Sequence, residues 1–235
     1  MEFDLKNLFL DTNYCLNKFE YEGIEQDYYV SESGRVDPDL TGQHIWEAAP
    51  ILCKFMINNK EMFSKDGGKS VLEIGSGTGI CGLVCSQLAK SVTLTDHEDV
   101  VMDLIKKNIE HVVKTQDYPK SISYSKIDWE FALDEDITIN TITDIGDGQI
   151  EETQGTFGGY DIIIGSDLCQ FENVPAILCK FLDWLFTLHD NKLVFYKSYV
   201  ERYIVTHDNL KSELSKYNFT YESIERELCE NCPEQ

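Results

Sequence analysis

Residues Val71 to Asp96 leave few folds open. They read Val-Leu-Glu-Ile-Gly-Ser-Gly-Thr-Gly-Ile, then a run of small residues, then Val-Thr-Leu-Thr-Asp. An apolar run bounded by glycines is a buried strand. The small residues form a helix packed close to it, and the second apolar run is a parallel neighbour ending in a carboxylate. Glycines at the first turn let a ligand approach the backbone, and the helix start offers free N–H groups. Asp96, about 20 residues past Gly75, stands where a carboxylate accepts hydrogen bonds from both hydroxyls of a ribose.

Two details decide which nucleoside ligand suits the turn. The glycines run G-x-G-x-G (Gly75, Gly77, Gly79), and Ile80 occupies the sixth position, where a dinucleotide fingerprint requires Gly or Ala. Glu73 lies in the first strand just before the glycines. A carboxylate there repels a pyrophosphate and favours a cationic or amine-bearing ligand. Both details point to S-adenosylmethionine (SAM), with S-adenosylhomocysteine (SAH) as its demethylated product, rather than NAD.

The rest of the chain repeats the alternation. Apolar residues at helical spacing run from Ile45 and Trp46 through Ala48, Ala49, Leu52, Phe55 and Met56. Strands are expected at 70–74, 91–95, 121–127, 160–165 and 192–197, with a last one near 219–226. Helices are expected at 81–89, 98–113, 174–187 and 201–216. Two short strands flank Gly23. The expected fold is α/β: a doubly wound, mostly parallel, Rossmann-like sheet with a small N-terminal β-hairpin and helix extension. Residues 1–60 would cap the cofactor site and residues 61–235 form the core, the two making one compact unit. The stretch between Trp129 and Tyr160 is rich in Asp, Glu, Thr and Gly, and Ile127 to Cys179 contains no Lys or Arg. It reads as disordered filler, with docking of a basic substrate as the alternative.

Charge narrows the partners. Acidic residues outnumber basic ones 42 to 20, a formal net charge of −22. Such a surface repels phosphate backbones, so no nucleic-acid partner is expected and a basic protein is the better electrostatic match. The eight cysteines, at 15, 53, 81, 85, 169, 179, 229 and 232, show no framework spacing and read as reduced thiols of a cytoplasmic protein, with the nucleus as the alternative. Cys229-x-x-Cys232 lacks a second pair or a nearby His, so no metal is expected. The five histidines show no ligand spacing either and receive no role. The N-terminus has no basic segment followed by an apolar run, as expected without a signal peptide, and no stretch reaches the length of a membrane span. A monomer is expected.

Five segments in order resemble the seven-β-strand protein-lysine methyltransferases of methyltransferase family 16. They are Gly42-x-x-Ile45-Trp46-Glu47-Ala48-Ala49, Val71 to Gly79, Val92 to Asp96, Asp128-Trp129, and Asp161-Ile162-Ile163-Ile164-Gly165-Ser166-Asp167. The glycine motif marks any SAM enzyme of the class I type; the Trp46 segment and the Ser-Asp ending are the more specific parts. The resemblance implies that Trp46, Gly75, Ser76, Gly77, Asp96, Trp129 and Ser166 line the cofactor. Trp129 would lie against adenine, with Asp128 at the adenine amino group. It also implies transfer of a methyl group to lysine, with Asp167 placed to orient the acceptor amine. The family pattern continues acid-x-x-aromatic, whereas this chain reads Asp167-Leu168-Cys169-Gln170, with Phe171 one place late. Gln170 would then stand at the substrate in place of a π face. The alternatives are a methyltransferase for another acceptor (protein histidine, an N-terminus or a small molecule) and a SAM-binding module without catalysis. The segment after Phe219 looks too short for a final antiparallel hairpin.

Overall fold

The computed structural model describes residues 13–32, 38–116, 121–132, 136–146, 149–169, 171–200 and 204–224. Two strands, β1 (Tyr14–Tyr21) and β2 (Ile24–Ser31), form the antiparallel hairpin about Glu22 and Gly23. Helix α1 (Ala48–Asn58) and the short α2 (Glu61–Ser64) lead to β3 (Ser70–Ile74). Then follow α3 (Ile80–Cys85), β4 (Ser91–Asp96), α4 (Asp99–Thr115) and β5 (Ile122–Lys126). Two further strands, β6 (Thr138–Gly146) and β7 (Gln149–Thr156), precede β8 (Ile162–Ser166), α5 (Val174–Leu188), β9 (Val194–Ser198) and α6 (Ile204–Leu214).

Seven strands form one sheet in the order β7-β6-β5-β4-β3-β8-β9, and the five from β5 to β9 run parallel. The chain first winds outward from β3 through β4 to β5, then returns to the other side of β3. The crevice at the C-terminal ends of β3, β4 and β8 is therefore a topological switch point, where open α/β sheets bind ligands. Alternation in the strands builds a core on each face. Val71, Val92, Leu94, Ile122 and Ile164 pack beneath α1, α3, α4 and the β1–β2 hairpin. Leu72, Ile74 and Ile163 pack beneath α5 with Leu178, Phe181 and Leu185. Burying each such side chain contributes about 1.5–3 kcal/mol.

The hairpin is bound to the core by side-chain amides as well as by apolar contact. Fully buried Asn108 of α4 donates to Tyr29 O (3.1 Å) and Thr78 O (2.8 Å) and accepts from Tyr29 N (2.6 Å). It joins three elements at one point.

Three expectations are corrected. The acidic segment is not filler: β6 and β7 pair antiparallel with each other, and β6 pairs antiparallel with β5, extending the sheet at that edge. Buried Ile139 and Ile142 anchor β6, and Ser125 Oγ donates to Thr138 O at 2.7 Å. The expected strand near 219–226 does not form over its described part, 219–224. Phe219 instead packs edge-on against Phe186 of α5, ring centroids 5.4 Å apart. Residues 225–235, with Cys229 and Cys232, lie outside the described residues. Helix α1 starts at Ala48 rather than Ile45; Trp46 is held in the lead-in by its indole N–H, which donates to Thr41 O at 2.9 Å. Among the described residues no helix is long and apolar enough to cross a membrane.

Candidate functional site

A cavity of about 440 Å³ opens at the switch point. That volume lies within the roughly 300–1,000 Å³ of small-molecule sites. Trp46, Gly75, Ser76, Gly77, Asp96, Asp128, Trp129, Ser166 and Asp167 all line it. Segments far apart in the chain thus converge because each follows the C-terminal end of a parallel strand or faces those ends.

The glycine turn is built for close approach. Gly75 and Gly77 have φ of +59° and +54°, a region costly for residues with a Cβ. A Cβ on Gly77 would sit 2.9 Å from Gly42 O, so the turn packs backbone to backbone against the segment before α1. Ser76 Oγ donates toward Glu73 O (3.4 Å) and accepts from Thr95 N (2.9 Å), tying the turn to β4.

Asp96 is fixed rather than free to swing. Its Oδ2 accepts from Gly77 N at 3.0 Å and its Oδ1 from His97 N at 2.8 Å. Each carboxylate oxygen has a second lone pair, so the group can still accept from ribose hydroxyls. Its neighbour His97, which had no assigned role, lines the cavity with Nδ1 3.4 Å from Asp96 Oδ1 and Nε2 3.2 Å from Glu98 Oε1. The hydrogen bond to Asp96 raises the imidazole pKa, outweighing partial burial. The signal available in the sequence was adjacency: a residue following the strand-end acid must stand beside the same ligand.

Trp129 is wall and core at once. Its ring stacks on Phe181 (centroids 6.1 Å apart, 16° between planes), Phe181 on Trp184 (5.6 Å), and Trp184 on Phe157 just past β7. One indole face is thereby packed while the residue borders the cavity. Asp128 Oδ1 accepts from Glu130 N at 2.9 Å, which turns the chain at the strand end.

Glu73 does not reach the cavity. The period-two alternation that sends Leu72 and Ile74 toward α5 sends Glu73 toward α3, where its Oε2 accepts from Gly82 N at 3.0 Å. It is 1% exposed, and burial pushes its carboxyl up to about 8. A carboxyl protonated at neutral pH beneath the turn supports the turn and does not face a ligand's charge. That corrects the expected contact with a cationic cofactor.

The cavity is also bordered by Ser166, Asp167, Leu168, Phe171, Val174 and Ile177. Asp167 is 7% exposed, with φ of +51°. Gln170 lies outside the described residues, but Phe171, the aromatic one place late, does line the cavity and is 52% exposed. Spacing from Asp167 singled out position 170; the left-handed turn at Asp167 is what spacing could not show. No group of three or more His, Cys, Asp or Glu among the described residues is arranged to hold a metal.

A family profile of lysine methyltransferases matches residues 33–145. EEF1A lysine methyltransferase 3 of Xenopus tropicalis is 31% identical over 187 residues, covering 77% of this chain and 68% of that one. Protein N-lysine methyltransferase METTL21A of Danio rerio is 32% identical over 136 residues, covering 57% of this chain and 51% of that one. The chain thus spans between about half and two thirds of the length of these relatives. In fold it is similar to a candidate SAM-dependent methyltransferase of Streptococcus mutans, with a TM-score of 0.50 at 13% identity, over 89% of this chain and 49% of that one.

Proposed function

The chain belongs to the lysine methyltransferase family, and from that membership we propose that it transfers a methyl group from SAM to a lysine side chain of a basic protein. The observation that carries this reading is the continuity of the cavity. One lining holds the strand-end carboxylate Asp96, the glycine turn and Trp129 together with the apolar side chains Leu168, Phe171, Val174 and Ile177. The first part suits a nucleoside. The second suits a long aliphatic side chain tipped by an amine.

When bound, SAM supplies an electrophilic methyl group on a sulfonium. The chain's residues do the rest. Asp96 and the turn hold the ribose, with Trp129 against the base. Leu168, Phe171, Val174 and Ile177 strip water from the incoming side chain. Lysine must be neutral to attack carbon, and its reference pKa is about 10.4. Desolvation lowers that value, so no strong general base is required, and alignment of amine and methyl contributes several kcal/mol. Phe171 takes the place expected of an aromatic at position 170, where a π face attracts an ammonium by about 0.5–2 kcal/mol. The six described cysteines are free thiols, which suits a reducing compartment such as the cytoplasm.

The test is transfer of labelled methyl from SAM into a cell lysate, with mass spectrometry of the labelled proteins. Label on lysine of proteins richer in Lys and Arg than average is expected. Label on histidine, on N-termini or in the small-molecule fraction would replace the acceptor, and no label with intact SAM binding would leave a binding module. In the same series Asp96→Ala should weaken SAM binding roughly tenfold or more, since charge-assisted bonds contribute about 1.5–3 kcal/mol.

A further inference from the structure

We propose that Asp167 is a positioning residue, a latch that fixes the Thr41–Ala49 wall of the cavity to the ends of β8 and β9, and that it acts on the acceptor amine only through that wall. The inference rests on the reading that the cavity holds SAM. Both carboxylate oxygens already accept backbone N–H groups: Oδ2 from Ala48 at 3.1 Å and Oδ1 from Val200 at 3.1 Å. Asp167 N–H donates to Ser198 O at 3.0 Å, and Ser198 Oγ donates to Ala48 O at 2.8 Å. The four bonds close a ring through three parts of the chain: the start of α1, the end of β8 and the end of β9.

The chemistry explains why an acid stands there. Ala48 is the first residue of α1, where an N–H has no partner inside the helix, and Glu47 makes no side-chain capping bond. Asp167 therefore caps α1 from 119 residues away in sequence, and its charge is favourable at the positive end of the helix. Its left-handed backbone, tolerated by Asp, turns the carboxylate back toward α1 instead of along the strand.

The wall so held is pinned at its other end as well, where Gly42 O meets the backbone of Gly77. Trp46 stands between the two pins, its indole N–H bound to Thr41 O. Releasing the Asp167 end would let the wall lift from the cofactor, which affects retention of SAM and SAH before it affects the amine.

Ser198 makes the distinction measurable, because it completes the ring without lining the cavity. SAM and SAH titrations and steady-state transfer are measured on the wild-type chain, Asp167→Asn, Ser198→Ala and the double variant. A latch predicts weaker SAH binding in both single variants, about two- to tenfold for Ser198→Ala. The double variant should lose less than the product of the two. At saturating SAM, Ser198→Ala should regain the wild-type kcat while its KM for SAM stays raised. A merely less folded protein would do the same because SAM draws it back to the folded state, so the variant must also match the wild-type circular dichroism and be fully folded before SAM is added. Unchanged SAH affinity in Ser198→Ala, or in a folded Asp167→Asn whose transfer has collapsed, would overturn the latch and return Asp167 to the amine. If Asp167→Asn does not fold, Ser198→Ala alone decides. A wild-type chain that does not bind SAM at all would defeat the underlying reading instead, and is seen in the first titration.

Discussion

Glu73 shows how one residue changes meaning between the sequence and the folded chain. Its position before the glycines suggested a charge facing a cation, but alternation along β3 turns it under α3, where burial holds its carboxyl at about 8. In the unfolded chain the same group titrates near 4.5. Between those values the folded state keeps a proton that the unfolded state has lost. Glu73 therefore lowers stability progressively as pH rises from about 4.5 to about 8, by up to about 1.4 kcal/mol per pH unit, and adds no slope above that. Glu73→Gln keeps an acceptor for Gly82 N–H and removes the proton. Urea unfolding at several pH values should show the variant gaining stability relative to wild type across this window. Parallel curves for the two proteins would mean that the carboxyl is ionised throughout.

Among the elements, the β1–β2 hairpin depends on α4 through Asn108. Asn108→Ala would leave the carbonyl of Thr78 unpaired in a buried place and the backbone groups of Tyr29 unpaired in a partly buried one, at a cost of about 2 kcal/mol. Thr78 belongs to the glycine turn, so SAM affinity should fall along with stability. Denaturant midpoints and SAM titration check this; a stability loss below about 0.5 kcal/mol with unchanged affinity would refute it. The β6–β7 hairpin is the element where the structure departs furthest from the sequence expectation. Its signal was present, since Asp147-Gly148 stands between two runs rich in Thr and Ile, a sequence that favours a two-residue hairpin turn. Acidic composition masked it. Glu151 and Glu152 sit on a strand at the sheet edge, where few side chains need to be apolar.

For the molecule as a whole, the charge of −22 is the dominant long-range property. Asp and Glu occur twelve times between residues 127 and 179 and Lys and Arg not at all. That segment carries β6, β7, β8 and one wall of the cavity. If the substrate is a basic protein, attraction operates over about a Debye length, roughly 10 Å at 0.1 M salt. Raising sodium chloride from about 0.05 M to about 0.5 M should raise the KM for the protein substrate severalfold. The dissociation constant of SAM, bound inside a cavity, should change little. A KM that is flat or falls with salt would argue for an acceptor docked by apolar contact instead.

Local chemistry determined the parts of this protein that repeat along the chain. The parallel core strands from Ser70 to Ile74 and from Ser91 to Asp96, the turn at Gly75 and Gly77, and the carboxylate at Asp96 were legible because a buried strand, a left-handed turn and a strand-end acid each leave a short-range mark. What the tertiary structure decided is where side chains point and what they meet. It put Glu73 beneath the turn and His97 beside Asp96. It brought Phe171 to the cavity and closed the Asp167 carboxylate against Ala48 and Val200. The two Asp167 contacts join residues 33 and 119 positions apart. No periodicity or motif spacing records which backbone N–H a carboxylate will find across such distances; the twist of the sheet and the packing of α1 on it do.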